Sequence, residues 1–189
     1  DSTNPRAWHT LARNLAETGD LVGAIAAWRR SITLNPSYTQ GLGFMAQAHY
    51  WRREYDSAAA WADTAIAVDP SYLFGRTLAG LAAIEQGDTV RSVTAFDAAR
   101  RLSTNVEVAN ALAGSALATA HAGRLDEGHR IVQQADSIAS TYNPAPLHTA
   151  VYMAQAYAAL GDVDRALAWL TRFQPRQNLH FQLHLRCDP

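Results

Sequence analysis

The sequence predicts an all-α fold, a right-handed α–α superhelix (solenoid) of about five helix pairs followed by a short C-terminal tail. Three observations predict it. Pairs of small residues twelve positions apart recur along the chain: Ala12/Ala24, Ala46/Ala58, Gly80/Ser92, Ala116/Gly128 and Ala154/Ala166. Successive pairs begin 34, 34, 36 and 38 residues apart, a period typical of stacked helix–turn–helix units. Gly-Asp falls between the members of three pairs, at residues 19–20, 87–88 and 161–162. There Gly tolerates a left-handed backbone and Asp can cap the helix that follows. Finally, Pro36 and Pro70 stand 34 residues apart, where each ends a unit because proline cannot continue a helix.

The units follow in order. Repeat one spans about 4–36. Trp8, Leu11, Ala12 and Leu15 give its first helix an i, i+3, i+4, i+7 stripe, and Ala24, Trp28 and Ser31 mark the second. Repeat two, 37–70, carries Leu42, Met45, Ala46 and His49, then Ala58, Ala62 and Ala65, with Arg53-Glu54 in place of Gly-Asp. Repeat three, 71–104, has a weak first stripe of Arg76, Ala79, Gly80 and Ala83, then Ser92, Phe96 and Ala99. Repeat four, 105–142, is the poorest match, turning at Gly123-Arg124, and the loosest packing is expected there. Repeat five, 143–174, opens on the segment with Pro144 and Pro146, where a break in superhelical phase is expected. It carries Ala150, Met153, Ala154 and Tyr157, then Ala166, Leu170 and Phe173. Residues 1–174 thus read as one solenoid domain and 175–189 as a tail.

Composition narrows the function. A net charge of −1 provides no basic footprint for nucleic acid. No apolar run approaches the roughly 18 residues of a membrane span. The opening Asp1-Ser2-Thr3-Asn4-Pro5 lacks the apolar stretch of a secretory leader, and one cysteine, Cys187, excludes an intrachain disulfide framework. The expected location is the cytoplasm. All 16 Lys+Arg residues are arginine. They are scattered along the chain, which reads as compositional bias rather than a recognition patch.

The pattern Trp8–Leu11–Ala12–Leu15–Gly19–Ala24–Trp28–Pro36 resembles the tetratricopeptide repeat, and Ala46–Ala58–Pro70, Gly80–Gly87–Ser92–Phe96 and Ala154–Tyr157–Gly161–Ala166 look like further copies. The resemblance implies a binding scaffold without covalent chemistry. The segment Ala156-Tyr157-Ala158-Ala159-Leu160-Gly161-Asp162 and the end Leu183-His184-Leu185-Arg186-Cys187-Asp188-Pro189 are similar to the close of such regions in bacterial signalling proteins. In those, the repeats follow a kinase, cyclase or DNA-binding domain, which implies a regulatory module of a larger polypeptide. Some members of the family hold a C-terminal carboxylate in a clamp. The matching positions here are His9, Arg13, Phe44, Gln47, Phe74 and Leu78, of which only Arg13 and Gln47 suit that role.

In a curved array the first helices line the concave face. By period, the residues not spent on packing are Arg6, His9, Arg13 and Glu17; Gln40, Gln47, Tyr50 and Trp51; Phe74, Thr77, Leu81 and Glu85; Asn110, Leu117 and His121; and His148, Val151 and Gln155. A groove so lined is basic at its start and amide- and aromatic-rich in the middle. It suits a protein or peptide segment with an acidic end and apolar anchors. The alternative is a tight superhelix in which Phe74, Leu81, Leu117 and Val151 only pack. Tyr50 and Trp51 read either as an anchor platform or as fillers between helices.

Chemistry-bearing patterns are weak. His180, His184 and Cys187 could share a metal only on a helix, whereas the alternation of Leu179 to Leu185 has period two. In a strand the two histidines would lie roughly 13 Å apart, so no metal and no cofactor are expected. Gly41-Leu42-Gly43 lacks the strand that a nucleotide loop follows, and no nucleophile sits in a recognisable motif. The expected function is a peptide-binding regulatory module rather than an enzyme. Two alternatives stay open: a small-ligand sensor, and self-association as a homodimer through the terminal repeats or the tail.

Overall fold

The computed structural model describes residues 3–172. The tail 175–189, with His180, His184 and Cys187, lies outside the described residues. Among those described, there are ten α-helices and no strand: α1 (Pro5–Glu17), α2 (Leu21–Leu34), α3 (Thr39–Trp51), α4 (Tyr55–Val68), α5 (Leu73–Glu85), α6 (Thr89–Leu102), α7 (Val106–His121), α8 (Leu125–Ala139), α9 (Leu147–Ala159) and α10 (Val163–Thr171). They form five consecutive pairs whose members fall within the five repeat spans expected from sequence. The fold class is all-α, as expected.

Turn chemistry explains the helix boundaries. Gly19, Gly87, Gly123 and Gly161 all have positive φ, between 73° and 90°, the left-handed stop that glycine tolerates. Asp20, Asp88 and Asp162 then cap the next helix through side-chain bonds from the amides of Gly23, Arg91 and Arg165 at 2.8, 2.9 and 3.1 Å. Repeat two does without both devices. Arg53 takes the left-handed position at φ 61°, and Glu54 caps no amide with its side chain. Instead Glu54 bonds His49 Nδ1 at 2.6 Å and Arg52 Nε at 2.8 Å.

The chain divides into two compact units, whose described parts are residues 3–82 and 83–172, with the boundary inside α5. In the first unit α1 packs on α2, α2 on α3 and α3 on α4. Ala12, Ala24, Ala46 and Ala58 are fully buried, so the small residues occupy the helix crossings. In the second unit α7 packs against α6, α8 and α9, and α9 against α10. A Cβ on Gly128 would meet the Ala116 carbonyl oxygen at 3.4 Å and Leu160 Cδ2 at 2.7 Å, so α8 comes close to the α7 backbone there.

Repeat four corrects the sequence reading. Every residue from 111 to 120 is buried, and the Phe96 ring packs so closely on Gly114 that a Cβ would collide with it. Small side chains here let α7 sit between three helices, rather than loosening it. The longer repeat spacing goes into α7 itself, 16 residues against 13 for each of the other first helices, and into the segment between α8 and α9. In repeat three the buried run of α5 is Leu78 to Ile84, a stronger core than the stripe read from sequence.

Candidate functional site

In the first unit the site is built by α1, α2, α3 and the start of α5. Trp28 on α2 is fully buried and donates its indole N–H to His9 Nδ1 at 3.2 Å. Phe44 on α3 stacks on Trp28 at 5.7 Å and 19°, and meets His9 edge-on at 5.1 Å. Tyr38 abuts His9 at 5.4 Å and Phe74 lies 5.4 Å from Phe44. Gly43 makes room for the end of this row, since a Cβ there would come within 2.6 Å of the Tyr72 hydroxyl. The result is a row of half-buried aromatics, Tyr38, Phe44, Phe74 and Tyr72, with His9 and Trp28 beneath.

Beside the row is a small depression with room for about one water-sized group, open in part to solvent and lined by Arg13, Ala16, Glu17, Trp28, Phe44, Gln47 and Trp51. Gln47 is only 4% exposed, and its Oε1 has no hydrogen-bond partner. An unpaired buried acceptor is costly. Arg13 stands at the rim. Its guanidinium is 3.7 Å from Glu17 Oε1 and 5.8 Å from the Phe44 ring centre, and its side chain is 47% exposed.

Burial holds His9 below the usual imidazole range, and the nearby Arg13 charge adds to the effect. The neutral form is the one that accepts the Trp28 proton. Burial raises the Tyr38 phenol, an effect that Arg6 and Arg13 oppose, and burial first of all pushes Tyr72 up to about 12. These hydroxyls stay protonated at neutral pH.

Among the residues singled out from sequence, Arg13, Gln47 and Trp51 converge on the pocket, and His9 and Phe74 flank it through Phe44. Arg6 and Gln40 are exposed, and Gln40 accepts from the Tyr38 hydroxyl at 2.9 Å. Thr77 is half-buried and bonds the Leu73 carbonyl oxygen at 3.1 Å, and Leu81 is buried. Tyr50 and Trp51 are each 5% exposed. Tyr50 packs on Tyr55 at 5.8 Å, while Trp51 forms a pocket wall.

In the second unit, Asn110 and His121 lie on α7, and His148 and Gln155 on α9. His121 and His148 are exposed, and Asn110 and Gln155 half-buried. Leu117 and Val151 are buried. Among the described residues no three His, Cys, Asp or Glu side chains are grouped to hold a metal ion. Period alone singles out neither Tyr38 nor Trp28 as a site residue. Phe44 was legible, lying four residues after Gln40 and three before Gln47, on the same face of α3.

Residues 9–72 and 77–140 match the model of the tetratricopeptide repeat family, together reaching from α1 to α8. No curated protein matches the sequence. Among solved structures, a thermophilic tetratricopeptide repeat protein of Thermus thermophilus is similar over 96% of each chain, at 18% identity and a TM-score of 0.72. YrrB, described as a tetratricopeptide repeat protein with an unusual peptide-binding site, is similar over 96% of this chain and 92% of its own, at 15% identity and a TM-score of 0.62. The O-GlcNAc transferase of Thermobaculum terrenum is similar over 70% of this chain but 26% of its own, at 19% identity and a TM-score of 0.64.

Proposed function

The chain belongs to the tetratricopeptide repeat family, and from that premise we propose that it is a scaffold that binds an extended or helical peptide segment in the concave groove of its first helices. The observation that carries this reading is the half-buried aromatic row Tyr38–Phe44–Phe74–Tyr72, with exposed Arg6 and Arg13 alongside. The partner segment places apolar or aromatic side chains against the row. Its acidic residues face the two arginines, whose planar forks bind carboxylates bidentately. Binding needs no bond making, so this module is not an enzyme. Its role is regulatory within a larger, cytoplasmic bacterial signalling protein.

A peptide display library panned against the purified chain tests this. The selected peptides are expected to combine aromatic and acidic residues. They are expected to bind the Arg6→Glu/Arg13→Glu double variant at least about tenfold more weakly, since one charge-assisted contact alone is of that size. Circular dichroism checks that the variant keeps its helices. Selected peptides that bind the variant as well as the wild type would remove the groove from the explanation.

A further inference from the structure

We propose that the chain's own tail, residues 179–188, docks on the aromatic row of the first unit and keeps the groove occupied until a partner segment displaces it. The proposal rests on the reading that this groove receives a peptide, and it adds an internal competitor for the same surface.

The row is a surface that calls for cover. Tyr38, Phe44, Phe74 and Tyr72 are all half-buried, and a contiguous run of partly exposed rings marks a contact surface. Arg6 and Arg13 stand at its α1 end, close enough to the Tyr38 hydroxyl for their charges to act on it.

The tail carries matching chemistry. Leu179, Phe181, Leu183 and Leu185 alternate with His180, Gln182 and His184, so an extended segment sets four apolar side chains on one face. Alternate side chains of such a segment are about 6.7 Å apart. Successive rings along Phe44, Phe74 and Tyr72 are 5.4 and 6.3 Å apart, so each apolar side chain meets a new ring. The one acidic residue after α10 is Asp188, three positions past Leu185, where the alternation has ended. With Leu179 at the Tyr72 end and Leu185 at the Tyr38 end, Asp188 comes to the two arginines.

Length and tethering favour the contact. Pro175 keeps α10, which ends at Thr171, from running on as a helix. Residues 173–189 reach up to about 55 Å when extended, about five helix diameters, so the tether does not confine them to the last repeat. A tethered segment acts at an effective concentration of about millimolar. A fit too weak to hold a free peptide therefore still fills the groove, and a stronger partner segment still displaces it.

The test attaches a nitroxide to the one cysteine, Cys187, of the isotopically labelled full chain and compares NMR spectra before and after the nitroxide is reduced. Broadening is expected at Arg6, Arg13, Gln40 and Phe74. It is expected to vanish in Phe181→Ser/Leu183→Ser, with circular dichroism checking that the helices remain. Without nitroxide, the same double variant is expected to bind display-selected peptides several-fold more tightly than the wild type.

Three results would overturn the proposal. Broadening centred on Val163 and Leu167, the exposed apolar residues of α10, would assign the tail to the last helix. Broadening of labelled Cys187→Ser chain by unlabelled nitroxide-bearing chain, as strong as within one chain, would assign the contact to a second copy. Absence of broadening at the groove, or equal peptide affinity in the double variant, would remove the competitor. Selected peptides that still depend on Arg6 and Arg13 would then leave the scaffold reading standing while the tail contact fell.

Discussion

Buried on α1, His9 accepts the Trp28 indole proton, and that bond holds only while the imidazole is neutral. Its pKa lies below 6.5 in the folded chain, through burial first and then the Arg13 charge. The folded state therefore binds this proton less readily than the unfolded state does. The stability it contributes is complete above the unfolded value of about 6.5 and is lost as pH falls through the folded one. Denaturant unfolding at pH 7.5 and at pH 5 is expected to show a larger loss for the wild type than for His9→Gln, which retains an acceptor. Equal losses would mean that His9 does not titrate between the two states. That a histidine would sit on α1 was legible from sequence. Its burial was not, because the partner that fixes it is nineteen residues away on α2 and the ring that covers it comes from α3.

Helices and turns were the most legible scale. The twelve-residue spacing of small pairs put the crossings in the right place, and Gly128 shows the reason, with the Ala116 carbonyl oxygen 3.4 Å from where its Cβ would be. Repeat four is hard to judge from sequence because residues 111–120 are mostly Ala, Gly and Ser and give few bulky residues to count, although every one of them is buried. The turn of repeat two departs from its counterparts in a way that can be measured. Arg53 at φ 61° stands where the other four turns have glycine, and a left-handed non-glycine residue costs about 1–2 kcal/mol. Glycine's greater freedom in the unfolded chain offsets about 0.5–1 kcal/mol of the relief. Arg53→Gly is thus expected to stabilise the chain by about 0.5–1 kcal/mol, raising Tm by a few degrees at this length. Calorimetry of the two proteins checks it, and an unchanged or lower Tm would contradict it.

For the molecule as a whole, the repeat period reveals the family, and the family sets the kind of function. It does not set the partner, because the first-helix residues that would touch one are free to vary while the crossings stay small. What singles out this chain is the content of its first unit: an aromatic row, two exposed arginines and an unpaired buried amide oxygen. These come from several helices, so no local pattern announces them together. The most direct measurement is a titration of the labelled full chain with a display-selected peptide, followed residue by residue by NMR. The largest shifts are expected at Arg6, Arg13, Gln40, Gln47 and Phe74, on α1, α3 and α5, with Arg29 on α2 and Ala60 and Asp63 on α4 little changed. Shifts centred on Arg29, Ala60 and Asp63, with α1 and α3 silent, would contradict binding at the first-helix groove.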